Sequence, residues 1–168
     1  MKIHIIRFAA MAALVAVAAT GALAAGTHAG GNGHSEDAIG KPGVVANVTR
    51  TVKVDMRDAM RFTPASIDVR QNQTVRFLIT NSGKTRHELV LGTEQELKAH
   101  YEVMKKNPEM EHDDPNMVTL APGASGEIVW RFSKAGKVDF ACLQPGHYDA
   151  GMKGAVNVAK TGSKAASK

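Results

Sequence analysis

Apolar and polar residues alternate over much of the chain between Asn47 and Ala159. Val48, Val52, Val54 and Met56 fall at even positions among Thr, Arg, Lys and Asp, the period-2 signature of a half-buried strand. Ile67 and Val69 repeat it after Pro64. Thr74–Thr80 (TVRFLIT) is a stronger strand, closed by the turn cluster Asn81-Ser82-Gly83. Further strands are predicted at His87–Leu91, Met117–Leu120, Glu127–Phe132 and Val138–Cys142, with a last one around Val156 and Val158. Ala121-Pro122-Gly123 and Gly136 supply turns between them.

One stretch has a different period. Thr93 followed by Glu96 is a capping-box pattern, Leu97, Tyr101 and Met104 recur at helical spacing, and Asn107-Pro108 ends the run. A polar loop, Glu109 to Asn116, returns to the next strand. Seven to eight short strands with one inserted helix predict an all-β sandwich, which needs about 100 residues. Residues 47–159 supply them.

The ends are of another kind. Lys2 and Arg7 precede an apolar run from Phe8 to Ala19, and Ala22-Leu23-Ala24 offers small residues where a signal peptidase reads. This predicts a secretory signal peptide over residues 1–24, with an uncleaved anchor as the alternative, and export to a periplasm-like compartment with no stable membrane anchor after cleavage. Residues 25–46, rich in glycine and carrying His28 and His34, read as a flexible arm, and residues 160–168 as a polar tail.

Charge alters this picture little. Of the formal net charge of +5, Lys2 and Arg7 account for two, leaving +3, which equals the contribution of Lys160, Lys164 and Lys168 in the tail. The folded body is therefore near neutral, without blocks of like charge, and a nucleic-acid partner is not expected.

The chain has a single cysteine, Cys142, so no intramolecular disulfide can form. In an exported protein this leaves a buried inert thiol, an intermolecular disulfide, or a metal-bound or catalytic thiolate. Its neighbours are informative. Cys142, His147 and Met152 are separated by equal four-residue gaps in a loop between two predicted strands, and His87 opens a strand further upstream. Two imidazoles, a thiolate and a weak axial thioether are the donor set of a blue-copper site. Pro145, Gly146 and Gly151 provide the bends that such a loop needs.

Residues 47–159 resemble the cupredoxin family, which includes plastocyanin, azurin, pseudoazurin and rusticyanin. The resemblance rests on His87 after the Asn81-Ser82-Gly83 turn and on the Cys142, His147, Met152 loop with Gly154 following. The loop spacing is similar to that of rusticyanin and auracyanin. The signal peptide, histidine-bearing arm and Met-rich insert are most similar to bacterial periplasmic copper-tolerance cupredoxins, the CopI type. The resemblance implies a cupredoxin-like Greek-key sandwich, a single type 1 copper held by His87, Cys142, His147 and Met152, and electron exit at His147, ringed by Leu143 and Pro145. Glu88 departs from the family, many of whose members carry asparagine or a small polar residue there.

A weaker cluster, Met104, Met110, His112 and Met117 with Asp113 and Asp114, offers thioethers and an imidazole for a second copper site near Met110, His112 and Met117. The competing reading packs Met104 and Met117 in the core and leaves Met110 and His112 solvated. His100 reads as a helix-surface residue.

Three functions are expected from these residues; the first two can coexist, and the third is remote. The first is electron transfer with a redox protein partner. The second is copper tolerance, as a buffer or relay to a copper-handling partner. The third is a thiol enzyme with Cys142 as nucleophile, His147 as base and Asp149 orienting the imidazole. The first two require no enzymatic activity.

Overall fold

The computed structural model describes residues 36–110 and 113–162. The expected signal peptide, His28, His34, His112, Lys164 and Lys168 lie outside the described residues. Within them the strands are β1 (Lys41–Pro42), β2 (Arg50–Arg57), β3 (Arg61–Thr63), β4 (Ser66–Arg70), β5 (Thr74–Asn81), β6 (His87–Gly92), β7 (Met117–Leu120), β8 (Ser125–Arg131), β9 (Gly136–Ala141) and β10 (Lys153–Ala159). The helices are α1, a single turn at Glu36–Ile39, and α2, Glu94–Lys106.

The strands form two five-stranded sheets, ordered β1-β8-β5-β2-β3 and β4-β10-β9-β6-β7. The alternation read from the sequence sets which face is buried: Val52, Val54 and Met56 of β2, and Val75, Phe77 and Ile79 of β5, all point inward. They meet Ile67, Val69, Leu89, Leu91, Val138, Phe140 and Val156 of the other sheet in one core. Phe62 and Phe140 pack edge to face across it, with ring centroids 5.1 Å apart.

Strand β6 is buried along its whole length, because both of its faces are covered. Leu89 and Leu91 face the shared core, while Val90 faces a second apolar cluster under α2 that includes Leu97, Tyr101, Met104, Met117 and Leu143. Helix α2 starts at the expected capping box: Thr93 Oγ1 accepts from Glu96 N at 3.2 Å, and Thr93 N donates to Glu96 Oε2 at 2.8 Å.

The described residues form ten strands rather than seven to eight, because β1 and β3 are too short to show a period; two further details differ from the sequence reading. The folded body starts before Asn47: Ile39 lies in the core at 1% exposure, Trp130 Nε1 donates to its carbonyl at 2.8 Å, and β1 pairs with β8. Ile39 to Gly43 are thus packed against the sandwich. His100 is also buried, at 6% exposure. It follows Leu97 by three positions and precedes Met104 by four, so it shares the inward stripe of α2.

Candidate metal centre

Antiparallel pairing of β6 with β7 and with β9 brings His87 and Cys142 to the same pole of the second sheet. His87 is the first residue of β6, and Cys142 immediately follows β9. The loop from Cys142 to Met152 then closes on itself. Cys142 N donates to Met152 O at 3.1 Å, His147 N to Gln144 O at 3.0 Å and Met152 N to His147 O at 3.0 Å. Gly146 and Gly151 adopt φ of +85° and +87°, which glycine reaches without strain, as the bends require.

Three of the expected donors converge. His87 Nδ1 lies 3.2 Å from His147 Nδ1, Cys142 Sγ lies 3.3 Å from the same His147 atom, and the three donor atoms fall within 4.8 Å of one another. Met152 is fully buried, joined through the backbone to both Cys142 and His147. His87 and Cys142 are likewise at 0% exposure. His147 is partly exposed, and beside it Pro145 and Gly146 face solvent. Leu143, expected to ring that edge, is instead fully buried beneath α2, because the alternation of β9 continues past its end: Phe140 and Cys142 face the shared core, Ala141 and Leu143 the cluster under the helix.

The surrounding polar groups hold these donors ready. Asp58, in the turn after β2, has Oδ1 3.0 Å from His87 Nε2 and also accepts from Lys84 N at 2.7 Å and Thr85 Oγ1 at 2.9 Å. These bonds, the Lys84 amide foremost and His87 next, keep the Asp58 carboxyl well below the usual range. A carboxylate only accepts, so the His87 hydrogen sits on Nε2 and its Nδ1 lone pair faces the centre. Burial, and next the neighbouring His87, push His147 below an ordinary histidine, which leaves its imidazole neutral for ligation.

Glu88 braces the loop from beneath. Its Oε1 accepts from Leu143 N at 2.7 Å, its Oε2 from Gln144 Nε2 at 3.2 Å and Thr119 Oγ1 at 3.3 Å, and its own amide donates to Cys142 Sγ at 3.5 Å. Burial nevertheless pushes its carboxyl up, and pushes the Cys142 thiol up to about 12.

Neither Asp58 nor Tyr101 was singled out in the sequence as part of the site. Asp149, which a thiol-enzyme reading places behind His147, accepts from Tyr101 Oη at 2.8 Å. Of the weaker thioether cluster, Met104 and Met117 sit in the core beneath α2, while Met110 is exposed.

A soft thiolate and two imidazoles with a buried thioether beside them, at one end of a β-sandwich, are donors suited to copper. The chain belongs to the copper-binding proteins of the plastocyanin/azurin family, whose model matches residues 48–159, and it is a copper-binding cupredoxin. Within that family it is 49% identical over 164 residues, covering 94% of this chain and 99% of the relative, to the copper-resistant cuproprotein CopI of Rubrivivax gelatinosus. The CopI protein of Pseudomonas aeruginosa is 35% identical over 150 residues, covering 72% of this chain and 82% of the relative. Among solved structures, auracyanin B superposes with a TM-score of 0.58 at 27% identity, covering 72% of this chain and 96% of that one.

Proposed function

We propose that the chain holds one copper ion at a type 1 centre made by His87, Cys142, His147 and Met152, and works as a one-electron carrier in copper tolerance outside the cytoplasm. The convergence of His87 Nδ1, His147 Nδ1 and Cys142 Sγ within 4.8 Å carries this reading. When bound, the ion supplies a single-electron couple between Cu(I) and Cu(II). The protein fixes the donors in advance: His87 and Cys142 are set by paired strands, Glu88 and Asp58 hold their neighbours, and burial excludes water from all but the His147 edge. That edge, with exposed Pro145 and Gly146, is the contact face for a redox or copper-handling partner.

The tolerance role is supported by the copper-resistant relatives, and export to a periplasm-like compartment by the basic, apolar and small-residue order of residues 1–24. The reading needs no substrate turnover, in keeping with an Asp149 engaged by Tyr101. The test is growth in copper of a bacterium lacking its own CopI-type protein. The native chain should restore tolerance and Cys142→Ser should not; equal rescue by both refutes a role through this centre.

A further inference from the structure

Helix α2 packs outside the shared core, yet it delivers one hydroxyl to the middle of the metal-site loop. Tyr101 is 1% exposed, and its ring stacks on Tyr148 with centroids 5.0 Å apart. Its Oη accepts from Gly146 N at 2.9 Å and donates to Asp149 Oδ2 at 2.8 Å. Gly146 directly precedes His147 and Asp149 follows it by two positions, so one oxygen ties both flanks of that ligand to a helix 45 residues away. The neighbouring Pro145 has no amide hydrogen with which to fasten this arm of the loop. The start of the loop is secured separately, by Glu88 on Leu143 N.

We propose that Tyr101 is a positioning residue for the metal centre, a latch from α2 that holds the His147 arm of the loop closed and thereby sets how fast copper leaves the site. The latch rests on the copper-centre reading given above. The loop's only half-exposed donor is the one the latch holds, so opening this arm is the shortest route by which a copper acceptor gains access.

The test is Tyr101→Phe, which keeps the buried ring and its stacking and deletes the oxygen. Two quantities are read: amide hydrogen exchange at Gly146 in the metal-free protein, and copper transfer from the Cu(I)-loaded protein to the chelator bathocuproine disulfonate. Loss of one hydrogen-bonded oxygen should accelerate both by about three- to tenfold, while the Phe77 amide in β5 exchanges as in the native chain and one copper still binds. Asp149→Ala, at an exposed position, should accelerate both in the same direction. Unchanged Gly146 exchange in Tyr101→Phe overturns the latch, as does an equal acceleration at Phe77, which marks general loosening. Should Tyr101→Phe fail to fold, Asp149→Ala decides on the same two readouts, and no change in either overturns the proposal. Failure of the native chain to bind copper sinks the copper-centre reading instead, and the Gly146 exchange of the metal-free protein still decides whether the latch exists.

Discussion

Asp58 Oδ1 lies 3.0 Å from His87 Nε2, on the ring edge opposite the nitrogen that faces His147. A carboxylate in this position makes the imidazole a stronger donor and favours the more highly charged oxidation state of the bound metal. Asp58→Asn keeps an acceptor and removes the charge. Its reduction potential should rise by about 60 mV, equivalent to a tenfold change in the ratio of Cu(II) to Cu(I) affinity. Protein-film voltammetry measures this directly, and an unmoved potential would show that the Asp58 charge is not felt at the centre.

Glu88 is a buried carboxylate whose three acceptor contacts do not offset its desolvation, so its folded-state pKa is raised. Such a group contributes stability that is present below the ordinary glutamate pKa and is lost as pH rises through the higher folded value. Relative to Glu88→Gln, which keeps an acceptor for Leu143 N without ionising, the metal-free native protein should therefore lose stability between pH 4 and pH 8. Glu88→Ala leaves the Leu143 amide unsatisfied and should cost about 1–3 kcal/mol at pH 4, and less at pH 8, where the native carboxylate is itself destabilising. Urea titrations at the two pH values test both statements; a native-minus-Gln difference that grows with pH would contradict the first.

The Cys142 thiol, pushed up to about 12 by burial, is protonated at neutral pH, whereas ligation requires the thiolate. His147, held below the usual histidine range, adds no competing proton above pH 7. Loading with Cu(II) at pH 7 should thus release about one proton per copper, and apparent affinity should rise about tenfold per pH unit from 7 to 9. A pH-stat titration showing no release would mean that the sulfur is not a ligand.

Ile39 anchors the segment before β2 in the core through its side chain and through the Trp130 indole on its carbonyl. Ile39→Ala should destabilise the metal-free protein by about 2–4 kcal/mol without moving the copper spectrum. A change near zero in chemical denaturation would indicate that residues 36–46 contribute little to folding.

These relationships differ in how far the chain sequence reveals them. The long strands announce themselves because one face is buried, so Val52, Val54 and Met56 or Val75, Phe77 and Ile79 alternate with polar neighbours. β1 and β3 span two and three residues, too few for a period to register, and β1 includes a proline. The donors Cys142, His147 and Met152 are legible because one loop carries them all. Asp58 and Tyr101 are not, since they reach the site from 29 and 45 residues away through turns and a helix face whose placement only the packed fold determines. His100 carried a readable signal, its spacing from Leu97 and Met104, that its polarity masked.

Titrating the purified protein with Cu(II) while recording its visible and paramagnetic resonance spectra decides whether the four donors form one copper centre. Saturation is expected at one copper per chain with an intense thiolate-to-copper band, which Cys142→Ser abolishes and Met152→Leu preserves with a shifted potential. Full colour in Cys142→Ser, or saturation without any thiolate band in the native chain, would contradict it.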